Sequence, residues 1–269
     1  MPELPEVETA VRELRAVAVG RRVTLLALRH PALARRVTPA ALRAIVGRRI
    51  ERVERRGKHQ LLHLDDGGVV HVHFRMSGDW VVLHDDGDAE PRSTRALLAL
   101  DDGSRVALVD PRALATIELF DAGAAPELAL GPEPDDRAFT AAALGRALAR
   151  RRGPIKPALL DQRVVAGVGN IYAAEALWRA KLSPLAPAAG LSDAELARLV
   201  RGIRAALRAG ARRPGRYSSG EAVQRLAVYD REGKPCRRCR TTIERIVQAG
   251  RSTWFCPRCQ PKPRARRRA

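Results

Sequence analysis

Aromatic side chains are scarce in this chain, at 4% of 269 residues. Its interior must therefore be built mainly from Leu, Val and Ala, and a hydrophobic content of 45% is still enough for a core and excludes wholesale disorder. No apolar run is long enough to span a bilayer. The acidic, proline-rich start does not resemble a signal peptide either, so the expectation is a cytoplasmic protein with no membrane partner. Cysteine is confined to four residues near the C-terminus, and in a reducing compartment these are metal ligands rather than disulfides. Lysine is almost absent. Only Lys58, Lys156, Lys181, Lys234 and Lys262 occur among 49 basic residues. Where nearly every cation is Arg, a retained Lys points to a need for a compact ammonium head, which nominates Lys58 and Lys156.

What the chain has in excess is positive charge: +19 overall, with a pI near 11.2. Residues 231–269 alone carry thirteen basic and two acidic side chains, more than half of that surplus. A basic surface of this density suits phosphate neutralisation on a nucleic acid, against the plainer reading of a solubilising face or a compositional bias toward Arg.

The pattern changes along the chain. From about 20 to 118 it is mainly β. "HQLLHLDDGGVVHVHF" and "ALLALDDGSRVALVD" each split two apolar runs by a turn, the signature of hairpins, and several such strands suggest a sandwich or barrel. "PAALRAIV" at 39–46 reads as a short helix. The Pro/Gly-rich passage 123–136 is the best boundary candidate. Helical patterns follow, including "SDAELARLVRGIRAALRAG", whose Ser192 and Glu195 form a capping-box start. The expected divisions are 2–125, 131–225, 230–261 and a basic tail, 262–269.

Cys236 and Cys239, then Cys256 and Cys259 after sixteen intervening residues, form two C-x2-C pairs. Four thiolates so spaced fit tetrahedral zinc in a closed, structural site, with two disulfides as the plain alternative. The segment between the pairs reads as two strands and a turn, making a zinc-stapled hairpin. "VVAGVGNIYAAE" at 164–175 is a glycine-rich turn between helices. Asn170 is placed to cap the helix that follows, and the glycines would expose backbone N–H groups to an anion such as phosphate; the alternative is a tight helix connection. His71 and His73 alternate on one strand and read as residues facing a packed sheet rather than as a metal pair.

The opening "MPELPEVE" has an ordinary component. Pro5 suits a helix start, Glu6 and Glu8 suit its first turn, and Val7, Val11 and Leu14 form a buried stripe. Pro2 and Glu3 lie outside that account. Together with "RRGKHQLL" at 55–62, "HFRMSG" at 73–78, "LGPEP" at 130–134, "KPALLDQRVVAGVGNIYAAE" at 156–175 and the cysteine ribbon, this opening closely resembles the Fpg/Nei family of base-excision repair enzymes, and in particular its formamidopyrimidine-DNA glycosylases.

The resemblance implies an α+β fold: an N-terminal β-sandwich with flanking helices, a helix–two-turns–helix domain and a C-terminal four-cysteine zinc ribbon holding one structural Zn2+. It implies a bifunctional glycosylase and apurinic lyase acting as a monomer on double-stranded DNA with oxidised bases or abasic sites, in the cytoplasm with the nucleoid. Removal of Met1 would leave Pro2 with a secondary amine that attacks C1′ of the damaged nucleotide. The resulting iminium cannot lose an N–H proton to become a neutral imine, so it remains an electron sink that favours elimination of the attached phosphates. Glu3 would protonate the sugar ring oxygen and shuttle protons, and Lys58 would lie near the lesion phosphate and sugar. By the same resemblance Met76 fills the hole left by the flipped nucleotide, Arg112 faces the orphaned base, and Lys156, Asn170 and Arg251 contact the DNA backbone.

Two features depart from the family. "DPRALA" at 110–115 replaces the usual "DPRRFG", so Leu114 stands where an aromatic wedge is common. The segment between Gly210 and Tyr229 is short and unlike the usual lesion-capping loop. Both bear on recognition more than on chemistry. The competing readings are a Nei-like enzyme for oxidised pyrimidines and a DNA-binding clamp without catalysis.

Overall fold

A computed structural model describes residues 2–35, 37–83, 87–212 and 226–262. The chain divides into two compact units, one formed by Met1–Pro2 with Glu6–Leu128 and the other by Glu3–Pro5 with Ala129–Ala269.

In the first unit, α1 (Leu4–Ala18) carries Glu6 in its first turn and Arg15 in its last, both matched to the helix dipole. Val7, Val11, Leu14 and Ala18 recur every three or four residues and are fully buried. Each of the Val and Leu side chains withdrawn from water contributes about 1.5–3 kcal/mol before entropy is counted. Because α1 begins at Leu4, Glu8 lies past the first turn expected for it. It is held instead by Arg55, whose Nε donates at 2.6 Å, and by Arg15 at 3.1 Å.

After α1 come β1 (Val23–Leu28), α2 (Pro31–Ala34), α3 (Pro39–Ala44), β2 (Ile50–Arg56), β3 (His59–Leu64), β4 (Val69–His73), β5 (Asp79–Leu83), β6 (Thr94–Leu100), β7 (Arg105–Val109) and β8 (Thr116–Phe120). They form two four-stranded sheets, ordered β1-β6-β7-β5 and β2-β3-β4-β8, with every pairing antiparallel. Both predicted hairpins are present, β3–β4 and β6–β7. Leu26, Leu98 and Leu108 of one sheet share a core with Leu62, Val70 and Ile117 of the other, as a sandwich requires. Inside it, buried Trp80 donates its Nε1 to Gln60 Oε1 at 2.7 Å.

Register decides where the loops go. His59 pairs with His73, His73 with Thr116, and Asp79 with Val109. The β2–β3 turn, the β4–β5 turn and the β7–β8 loop therefore emerge at one end of the sandwich.

The second unit contains α4 (Ala141–Leu148), α5 (Ile155–Leu160), α6 (Asn170–Ala180), α7 (Asp193–Ala211) and the hairpin β9 (Glu244–Gln248) with β10 (Arg251–Phe255). The predicted capping box is formed, with Ser192 accepting from the Glu195 amide and Glu195 accepting from the Ser192 amide. Leu159, Ile171, Leu177, Leu199 and Ile203 lie in its core. No helix among the described residues is long and apolar enough to cross a membrane.

Candidate active site and nucleic-acid interface

The turn before α6 is an anion site, and the anion is part of the chain. Glu3 is 1% exposed. Its carboxylate accepts from the backbone N–H of Gly169 (2.8 Å), Ile171 (2.8 Å) and Tyr172 (3.2 Å). These are the donors that a helix N-terminus leaves unsatisfied, and the dipole favours negative charge there. The phosphate expected at this turn is thus replaced by Glu3. Asn170 is not the cap either. The N-cap is Gly169, and no side chain of the cap residue bonds the first turn. The glycines serve the close approach of the N-terminal segment: a Cβ on Gly169 would overlap Glu3 Cδ, and one on Gly167, at φ +80°, would lie 2.6 Å from Leu4 Cδ1. Leu4 N donates to Gly167 O at 3.0 Å. Gln162 fixes the turn from below, accepting from Gly167 N and donating to Leu160 O and Val168 O.

Beside this helix start, Lys156 is 1% exposed and donates to Asn170 Oδ1 (2.5 Å), Thr253 Oγ1 (2.7 Å) and Ser252 O (3.1 Å). Asn170 Nδ2 donates to the same Ser252 carbonyl at 3.2 Å. Burial pulls the Lys156 ammonium down to about 8, with Arg251 pushing the same way and Glu3 opposing. The direct phosphate contact expected of Lys156 is therefore corrected. Its ammonium is buried on protein acceptors, and its work is to tie α6 to β10. Arg251, one residue before Ser252, begins β10 and is exposed. Glu3, Lys156, Asn170 and Arg251 are thus gathered at one end of α6.

The first unit gathers the others. Lys58, 8% exposed, sits in the β2–β3 turn. Met76, in the β4–β5 turn, and Leu114, in the β7–β8 loop, are large apolar side chains left 40% and 42% exposed; Arg112 is exposed beside Leu114. An apolar side chain at a loop tip gains nothing from water, which suits insertion into a base stack.

Asp110, which motif reasoning passed over as a functional residue, holds these loops. Fully buried, it accepts from Leu114 N (2.6 Å), Ala115 N (2.7 Å) and Arg112 N (3.2 Å), and from Ser77 Oγ in the neighbouring turn. One carboxylate therefore braces both the Met76 turn and the Arg112–Leu114 loop. Arg75 and Ala113 adopt φ of +55° and +51°, and His73 Nδ1 accepts from Arg75 N at 2.9 Å. A second carboxylate missed from sequence is Glu175, 2% exposed, which accepts from the amides of Ala227, Val228 and Tyr229.

His71 and His73 do face a sheet, as expected, and His59 joins them. His59 Nδ1 lies 2.8 Å from His71 Nε2, and His71 Nδ1 lies 3.0 Å from Glu118 Oε2. Burial lowers the imidazoles, His59 to about 4 and His73 to about 3, with neighbouring positive charges adding to the effect. All three are neutral at pH 7.

The sulfur atoms of Cys236, Cys239, Cys256 and Cys259 lie within 4.8 Å of one another. Contacts of 3.4 Å for Cys239 with Cys256 and Cys259, and 4.0 Å for Cys236 with Cys259, bracket the roughly 3.8 Å edge of a tetrahedron with Zn–S bonds of about 2.3 Å. The cluster fits one structural zinc. Of the short segment between Gly210 and Tyr229, residues 213–225 lie outside the described residues, as does the tail from 263.

Residues 1–117 match the formamidopyrimidine-DNA glycosylase N-terminal domain, 130–220 the formamidopyrimidine-DNA glycosylase H2TH domain, and 233–262 a zinc finger found in FPG and IleRS. A formamidopyrimidine-DNA glycosylase of Chloroflexus aurantiacus is 44% identical, over 97% of this chain and 98% of the relative. The crystal structure of MutM (Fpg) from Thermus thermophilus superposes with a TM-score of 0.85 at 38% identity, covering 98% of this chain and all of that one. A Lactococcus lactis formamidopyrimidine-DNA glycosylase bound to DNA containing an AP site gives 0.86 at 31% identity, over 97% and 100%.

Proposed function

The chain belongs to the formamidopyrimidine-DNA glycosylase family, and from that premise we propose that it removes oxidised purines from duplex DNA through an iminium at Pro2. It is a DNA glycosylase of base-excision repair, and apurinic lyase activity is a general property of its family. The observation that carries the site assignment is the position of Glu3: a buried carboxylate, held by the N-terminal amides of α6 and next in sequence to the nucleophile.

The α-amino group has an ordinary pKa near 8, so part of it is neutral at cellular pH and can attack C1′. Attack needs the amine to have shed its proton, and base departure needs one delivered nearby. A fixed carboxylate beside the amine serves both as acceptor and as donor. The bond from C1′ to the base breaks as the bond from the Pro2 nitrogen forms. Ring opening gives a cationic iminium that acidifies C2′, so β- and then δ-elimination releases the two phosphates. Lys58 supplies positive charge at the sugar and phosphate. Met76, Arg112 and Leu114 hold the gap in the stack, which offsets the few kcal/mol of extruding the nucleotide. Asn170 and Arg251 bind backbone phosphate, positioned by Lys156.

Leu114 can insert but stacks less well than an aromatic ring. This supports formamidopyrimidine as a better substrate than 8-oxoguanine. The chain acts as a monomer on cytoplasmic, nucleoid DNA.

Single-turnover base release on duplexes carrying formamidopyrimidine, 8-oxoguanine or an oxidised pyrimidine tests this reading. Formamidopyrimidine should be released fastest, and Pro2→Gly should lower strand cleavage by roughly 100-fold or more. Fastest release of the oxidised pyrimidine would overturn the substrate assignment. Unchanged cleavage by Pro2→Gly would overturn the mechanism.

A further inference from the structure

At the other end of α6, about 13 Å along its axis from Asn170 at 1.5 Å per residue, the second unit has a cleft that the glycosylase reading does not use. It encloses about 360 Å3, and Arg179, Arg198, Arg201 and Arg238 line it around Trp178, with no carboxylate in its wall. Among the described residues no acidic side chain forms an ion pair with any of these four. A patch of arginines on an Arg-rich chain is ordinarily a solvated face. Three observations set this one apart.

The first is that two of the arginines are fixed. Arg198 Nε donates to Ala180 O at 3.2 Å. Arg238 Nη1 donates to Trp178 O at 3.1 Å and its guanidinium lies 4.0 Å from the indole centroid. Last-turn carbonyls attract cations, which accounts for one N–H of each and leaves the remaining guanidinium nitrogens of both without an acceptor among the described residues. The second is Arg179, which lines the cleft and whose Nε has no hydrogen-bond partner among the described residues. A guanidinium so under-used is costly to bury and is not held by a structural role. The third is continuity. Arg201 also lines an adjoining cleft of about 580 Å3 with Arg137, Arg204 and Arg208, where Asp135 is the single acid. Like charges so collected repel one another, and a polyanion relieves that repulsion.

We propose that this arginine cleft binds a phosphodiester segment of nucleic acid distinct from the duplex engaged at the N-terminus of α6. Guanidinium forks match the paired oxygens of a phosphate, and no carboxylate lines the cleft to repel one or to select a basic peptide. The proposal rests on the glycosylase reading, since a second DNA contact serves a protein that works on DNA. Its consequence is direct passage between neighbouring duplex segments without full release.

The test occupies the first site covalently. The full-length chain is trapped with borohydride on an abasic duplex, and a second, undamaged labelled duplex is titrated against the complex at several salt concentrations. The expected result is one further duplex per complex. Two to four phosphates at about −0.9 each predict a log–log salt slope of about −2 to −4. Arg198→Gln with Arg201→Gln, and separately Arg179→Gln with Arg238→Gln, should each weaken the second duplex roughly five-fold or more while leaving the trapping yield unchanged. Circular dichroism confirms that both double variants are folded.

No binding of a second duplex at low salt would overturn the proposal. So would binding that neither variant weakens, weakening of the first duplex instead of the second, or capture of polyglutamate but not DNA. Failure of trapping would contradict the enzyme reading alone. The cleft is then tested by stoichiometry with excess undamaged duplex, two per chain being expected and one being contradictory.

Discussion

Glu3 and Asp110 do the same physical work in different ways. Both carboxylates are buried, at 1% and 0% exposure, and both accept from backbone amides at the start of a functional segment. Asp110 braces amides two to five residues further along its own loop, adding one hydroxyl from the next turn. Glu3 reaches amides 166 to 169 residues away. The local carboxylate shapes the loop that carries Arg112 and Leu114. The distant one is held where no local turn could place it, one residue from the proposed nucleophile, Pro2. A short-range bond can be made by any Asx turn, whereas the long-range one depends on the whole second unit being folded.

That contrast can be broken most sharply by substituting each carboxylate. Glu3→Gln should slow base release by roughly 10²–10⁴-fold, the range for loss of a positioned proton-transfer group, measured by single-turnover assay. Asp110→Ala should leave the Leu114 and Ala115 amides without an acceptor, costing about 1–3 kcal/mol each. It should weaken DNA affinity more than it slows chemistry in the bound state, as read from binding isotherms and saturating rates. If Asp110→Ala slowed the bound-state step as much as Glu3→Gln, the division of labour would be wrong.

Lys156→Met leaves Asn170 Oδ1, Thr253 Oγ1 and Ser252 O without their shared donor. It should cost about 1–3 kcal/mol by thermal unfolding and weaken DNA binding through a displaced Arg251. In the first unit, acid should act through the histidines. Their folded values lie below the ordinary 6.5, so the unfolded chain binds more protons between pH 6.5 and about 4 for His59, and down to about 3 for His73. Stability from these residues is fully present above pH 6.5 and is lost as pH falls through that window. A His59→Gln, His73→Gln variant should show a flatter acid limb in melting temperature against pH. The smallest effect is expected from Leu114→Phe, which restores a stacking ring worth about 0.5–1.5 kcal/mol and should raise 8-oxoguanine release relative to formamidopyrimidine.

Much of the fold is legible in the sequence because its signals are local. The Asp-Asp-Gly turns set two hairpins, Ser192 and Glu195 start α7, and the paired C-x2-C spacing brings four sulfurs together. The family resemblance marked Glu3, Met76 and Leu114, but not what holds them. Asn170 reads as a cap because Asn before an apolar helix usually is one. The true cap arrives from the other end of the chain, and no periodicity carries that information. The backbone contact of Lys156 came from the family resemblance, and its three protein acceptors are set by tertiary packing that no local pattern carries. Asp110 could have been found, since an aspartate two residues before a backbone amide it can accept is a recognisable turn element.

The central claim is that the chain's own terminal amine forms the covalent intermediate. Borohydride trapping on an abasic duplex, followed by digestion and mass mapping of the cross-linked peptide, addresses it directly. The account predicts a processed chain beginning at Pro2, with the sugar remnant on that residue. A remnant on Lys58 or any other lysine, or no adduct from a chain shown to begin at Pro2 and to bind the duplex, would contradict it.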